Sequence, residues 1–110
     1  MTNAKYNGWT NYETWVLKLW FDNDEGTQNY WMEQAADIRE KVESSYEWQT
    51  KEQAEIAELA NVLEDDMDEM AEQFMGNQAS PLADIMNAGL SRINWREIAE
   101  SIMETYLESA

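Results

Sequence analysis

The groups in this chain that can do chemistry are carboxylates, and they recur at helical spacing. Within KEQAEIAELANVLEDDMDEMAEQF, residues 51–74, Glu58, Asp65, Asp68, Glu69 and Glu72 fall on one face with Asn61, and Asp66 lies beside them. The opposite face carries Ile56, Leu59, Leu63, Met67, Met70 and Phe74, spaced 3, 4, 4, 3 and 4. That is the stripe of a helix packed on a core. Upstream, Glu33, Asp37 and Glu40 form a second row, which Glu47 extends if the helix runs on, and Glu43 belongs to the same set. Between Lys51 and Arg92 ten Asp or Glu occur and no Lys or Arg. Like charges one turn apart cost a helix about 0.2–0.5 kcal/mol per pair, and a chain selected only for solubility would intersperse cations. What such rows can do is offer fixed negative charge to Lys and Arg built to grip phosphates.

Other chemistries lack their groups. With no His and no Cys, a Ser-His-Asp or Cys-His nucleophile is impossible, as are a typical zinc site and the Glu-x-x-His di-iron motif. Four scattered glycines form no phosphate loop. Paired carboxylates can do acid–base work, but among 23 of them a given pair reads as surface. Neither an enzyme nor a bound cofactor is expected. Asp22-Asn23-Asp24-Glu25-Gly26 resembles the start of a calcium loop with Glu33 at its end, yet the glycine stands one position early. An acidic helix start, favoured by the helix dipole, is the better reading.

These side chains need helices to hold them. Thr10 with Glu13 reads as a capping box, opening a first helix to about Phe21 with Tyr12, Trp15, Val16, Leu19 and Trp20 inward. A second helix is predicted over residues 27–44, with Trp31, Ala35, Ile38 and Val42 inward. Thr50 and Gln53 form another capping box for the long acidic helix, and Gly76 ends it. Ser80-Pro81 starts a short helix with Leu82, Ile85, Met86 and Leu90 as its apolar residues. Asn94 caps the last, with Trp95, Ile98, Ile102 and Tyr106 inward and Glu97, Glu100, Glu104 and Glu108 outward. No strand-like alternation, hairpin signal or repeat is apparent. The expected fold is all-α, a compact bundle of four to five helices forming one domain over residues 1–110. Trp15, Trp20, Trp31 and Trp95 are assigned to the core; Trp9 is undetermined, and Trp48 could anchor a protein interface.

The formal charge of −16 sets 23 acids against 7 bases. That excludes affinity for free nucleic acid or an anionic membrane and calls for a basic partner. At 44% hydrophobic residues with six Trp, the chain has the means to fold, unlike a disordered acidic tail. No apolar run approaches the ~20 residues of a membrane span. MTNAKYNGW lacks the pattern of a signal peptide, so the cytoplasm is the expected location.

Residues 6–31, YNGWTNYETWVLKLWFDNDEGTQNYW, resemble small proteins of phages and plasmids that open with G-W-x-N-Y-E-T-W, then L-W and N-D-E-G. PLADIMNAGLSRINWREIAESIMETYL near the C-terminus is similar to segments of the same group, and the two stretches make up about half of the chain. The resemblance implies a mobile-element accessory protein, a class that often disarms host defences. The acidic middle, Glu40 to Glu72, lies outside the two motifs.

The combined expectation is an inhibitor that imitates DNA and blocks the basic nucleic-acid-binding surface of a CRISPR effector or restriction complex. Duplex DNA carries one charge per ~1.7 Å of axis, whereas helical carboxylates three or four residues apart lie about 4.5–6 Å apart. Two or three rows on neighbouring helices therefore approach the duplex density. The expected contacts are Glu33, Asp37, Glu40, Glu43 and Glu47 with Glu58, Asp65, Asp66, Asp68, Glu69 and Glu72. The alternative is a helical adaptor that binds a host or phage protein through apolar and aromatic contacts. Pairing of two copies would lengthen the acidic face, and a carboxylate-only metal enzyme is the remaining class.

Overall fold

A computed structural model describes residues 6–43, 47–76 and 79–109. They form five helices: α1 (Tyr12–Asp22), α2 (Glu25–Lys41), α3 (Lys51–Met75), α4 (Pro81–Ser91) and α5 (Trp95–Ser109). The fold is an all-α bundle, as the periodicity implies. None of these helices is long and apolar enough to cross a membrane.

Side-chain caps start the helices where hydrogen-bonding residues allow. Thr50 and Gln53 close the expected capping box, Ser80 with Pro81 opens α4, and Gly76 ends α3 at a φ of 73°. Glu97 donates its backbone N–H to Asn94 Oδ1 at 3.1 Å, so Asn94 starts α5. The first box forms differently. Asn11, not Thr10, caps α1, because its Oδ1 accepts from both the backbone N–H and the hydroxyl of Thr14, at 2.9 and 2.7 Å. Thr10 and Glu13 are drawn to the other end of the chain. The Thr10 N–H donates to Glu97 Oε1 at 3.0 Å, and Glu13 pairs with Arg92 at 3.2 Å. Asn94 N–H donates to the buried Thr14 hydroxyl at 2.9 Å, and Asn11 Nδ2 to the Arg92 carbonyl at 2.6 Å. The start of α1 is thereby tied to the start of α5.

That tie sets the rotation of α1 and overturns its expected inner face. Thr14, Lys18 and Phe21 point inward, while Tyr12, Leu19 and Trp20 are exposed and Trp15 and Val16 half-buried. Trp20 keeps 71% of its surface open. Lys18 lies among the buried residues with its ammonium drawn to Asp22 at 2.5 Å, a long stem packed inward and a charged tip paired at the edge.

The core is built by Trp31, Ala35 and Ile38 of α2, Ile56, Leu59 and Leu63 of α3, and Ile98, Ala99, Ile102 and Met103 of α5. Phe21 stacks on Trp31 with ring centroids 5.8 Å apart. α3 packs most extensively on α5. Beyond Leu63 its stripe leaves the core: Met67 is half-buried, whereas Met70 and Phe74 are exposed. One partner there is α4, which buries none of its residues, and the other side opens toward α1 and the start of α2.

Two local elements differ from expectation. α2 begins at Glu25 and ends at Lys41, since Val42 turns extended at ψ 132°. Tyr6 and Trp9 exchange backbone hydrogen bonds of 2.7 and 2.8 Å around Asn7 and Gly8, whose φ angles are 48° and 88°. That is the two-residue hairpin turn that Asn-Gly favours, so the sequence did hold a hairpin signal. It carries Tyr6 onto Tyr12 and Trp15, with centroids at 5.2 and 4.9 Å.

Candidate acidic interface

α2 and α3 run antiparallel as neighbours. Near one end of the pair, Arg39 of α2 reaches Glu55 of α3 at 3.4 Å, and Lys51 donates to the Arg39 carbonyl at 2.6 Å. Near the other, Tyr30 of α2 stands beside Asp66 and Glu69 of α3. Its phenol is held above the usual tyrosine range, first by partial burial and then by those two charges.

The carboxylate rows occupy the outer sides of this pair. Glu33, Asp37 and Glu40 are exposed on α2, and Glu58, Asp65, Asp68, Glu69 and Glu72 are exposed on α3. Asp66 is half-buried and turned toward α2. Glu43 and Glu47 are exposed but lie past the end of α2. The second row therefore has three helical members rather than five, because the backbone leaves the helix at Val42. The expected row on α5 is also incomplete: Glu97 is spent on the Thr10 N–H, and Glu100 pairs with Arg96 at 3.9 Å.

Every described cation is committed within the protein. Lys18 pairs with Asp22, Arg39 and Lys51 with Glu55, Lys41 with Asp37, Arg92 with Glu13, and Arg96 with Glu100. Of the eleven expected contact residues, only Asp37 has a cation within 4.0 Å among the described residues, Lys41 at 3.1 Å. The other ten have none within that distance among the described residues. The last turn of α3 carries no basic residue, so the acids at that end also face the negative pole of the helix dipole. Twenty-five helical residues span ~37 Å, about the length of one duplex turn. Over residues 2–109 the sequence matches a family of unknown function.

The chain belongs to that family, DUF7249.

The DUF7249 match runs through the acidic middle, which the two terminal motifs leave out. No curated protein and no solved structure matches the chain significantly.

Two features of this family member escaped the sequence reading. Glu55 is 1% exposed and holds two cations, Lys51 at 2.6 Å on one oxygen and Arg39 at 3.4 Å on the other. Its signal was present: it stands four residues after Lys51 and four before Leu59, on the flank of the apolar stripe. Trp20 shares helical spacing with Tyr12, Trp15, Val16 and Leu19, a pattern that by itself points it inward. The polar residues Asn11, Thr14 and Asn94 decide the rotation instead. The acidic loop at residues 22–26 is a helix start. The Asp24 carboxylate accepts from the Thr27 hydroxyl and N–H, which lower its pKa in that order.

Proposed function

We propose that this protein acts without catalysis, as an acidic decoy for nucleic acid. The rows on α2 and α3 would take the place of phosphates and occupy the basic groove of a host-defence complex, a CRISPR effector or restriction system. The supporting observation is ten carboxylates on and beside two antiparallel helices that have no ion-pair partner among the described residues. Lys and Arg side chains in a phosphate-binding groove would pair with them, steering association quickly and weakening with salt. The choice of a defence complex as target rests on the resemblance to phage and plasmid proteins, and so does action in the host cytoplasm.

A tagged pull-down from host lysate at low salt, eluted by stepwise salt, tests this. The expected capture is a nucleic-acid-guided nuclease or restriction enzyme that elutes with salt and is released by its own nucleic acid. A captured partner that binds no nucleic acid and resists high salt would replace the decoy with the second reading, a helical adaptor. One observation favours that reading: Trp20 and Phe74 stand 71% and 82% exposed, large side chains of the kind that anchor protein contacts.

A further inference from the structure

The exposed apolar side chains are not scattered evenly. An open groove of about 750 Å³ lies between α1, the start of α2 and the second half of α3. Trp20, Tyr30, Met67 and Met70 line it, and Asp24 and Asp66 are the charged members among the described residues. Trp20, Tyr30 and Met70 are all exposed to solvent at this groove. Asp66 has no cation within ion-pairing distance among the described residues, and Glu69 lies alongside at Tyr30. Aromatic rings give such a groove rigid contact area, and the two methionines let it adapt to an inserted side chain.

We propose that this groove is a docking site for an amphipathic helix of a partner protein, inserting a large apolar side chain against Trp20 and Met70 while flanking Lys or Arg residues meet Asp66 and Asp24. The charge of the occupant follows from the rim, which among the described residues offers carboxylates and no ammonium or guanidinium. Its helical form follows from the walls. All three are helices, so no strand edge is offered to an extended segment, and an occupant that satisfies its own backbone fits best. A second copy of this chain would bring a further charge of −16 to the same acidic rim. The inference rests on the decoy reading only in making the partner basic, and it adds an apolar anchor that phosphate imitation alone does not need.

The test uses a synthetic helical peptide of about 18 residues with a Leu and Phe stripe flanked by lysines. One control replaces the stripe by Ala and keeps the lysines. The other keeps the stripe and replaces Lys by Glu. Binding is followed by backbone amide and indole shifts on the full-length protein at about 0.3 M salt, where charge alone is strongly screened. The expected result is saturable binding of the first peptide, with shifts centred on Trp20, Tyr30, Met67 and Met70. Trp20→Ser and Met70→Ser, both at exposed positions, should each weaken it about tenfold, and both control peptides should bind at least as poorly. Equal binding of the Ala-stripe peptide, or full binding by Trp20→Ser, overturns the proposal. So does a dimer in sedimentation that Trp20→Ser dissolves, since the groove would then hold a second copy. Reversing Glu58 and Glu72 on the outer row should leave peptide binding within about threefold, so a failed groove and a failed decoy give different results.

Discussion

The two halves of α3 have the same pattern and different fates. From Lys51 to Leu63 the stripe is buried with Ala54, Ile56, Leu59 and Leu63, and even a carboxylate, Glu55, is enclosed with two cations. From Glu64 to Met75 no residue is buried, no cation is paired, and the stripe ends at an exposed Phe74. The difference lies in what stands opposite. The first half faces α5 and α2, while the second faces an open groove toward α1 and the start of α2 on one side and α4, which buries nothing of its own, on the other. Periodicity makes a helix amphipathic, but only a partner makes the apolar face a core. The first half fixes the fold, and the second is free to carry charge and contact surface.

Truncation should expose that contrast most strongly. Leu59→Ala and Leu63→Ala, at fully buried positions, should each cost about 2–5 kcal/mol in urea unfolding. The same change at Met70 or Phe74 should stay within about 0.5 kcal/mol. Comparable losses at both ends would mean that the second half of α3 is packed in solution. Glu55 sharpens the electrostatic side. Removing both Arg39 and Lys51 by alanine leaves a buried carboxylate alone and should cost about 3 kcal/mol, whereas Glu55→Met should be close to neutral. If Glu55→Met is the more damaging change, the ion pairs contribute more than the enclosure costs.

Thr14→Val tests why α1 turns its aromatic face outward. The hydroxyl accepts from Asn94 N–H and donates to Asn11, so its loss should cost about 1–3 kcal/mol. It should also broaden the amide signals of residues 92–94, where a purely local effect would leave them sharp. The smallest effect is expected in acid. Contacts to Thr27 hold Asp24 below the ordinary carboxylate range, and Glu13 is held below it by its own backbone N–H and then by Arg92. Both contribute stability above the unfolded pKa of ~4, and that contribution is lost as pH falls through the folded values. Asp24→Asn should therefore flatten the acid limb of thermal melts slightly. An unchanged limb would show that the Asp24 cap does not contribute.

Much of this was legible in the residues. Three of the caps, Thr50, Ser80 and Asn94, are local hydrogen-bond chemistry, and the spacing of Trp31, Ala35 and Ile38, or of Ile56, Leu59 and Leu63, named their helices' inner faces directly. α1 was misjudged because its spacing is satisfied by two faces. Tyr12, Trp15, Val16, Leu19 and Trp20 form the more apolar one, but Thr14 bonds to Asn94, 80 residues away, and no local pattern encodes that. The row at Glu43 and Glu47 failed for a different reason, because the end of α2 at Val42 carries no glycine or proline to mark it. Asn7-Gly8 was legible and overlooked. The outward placement of the α3 carboxylates followed from period alone, whereas the neighbouring of α2 and α3 depends on Arg39, Lys51 and Glu55.

In the decoy that we propose, the position of the acidic charge matters and not its sum. The measurement that tests it most directly compares two charge-reversal pairs for binding to the captured nucleic-acid-binding target, in competition with labelled duplex. Asp65→Lys with Glu69→Lys alters the α3 row, and Glu104→Lys with Glu108→Lys makes the same change in net charge on exposed positions of α5. The α3 pair should lose competition by at least about a hundredfold, in line with charge pairs at interfaces, while the α5 pair should compete nearly as the parent. Equal loss in both pairs, or none in either, would contradict it.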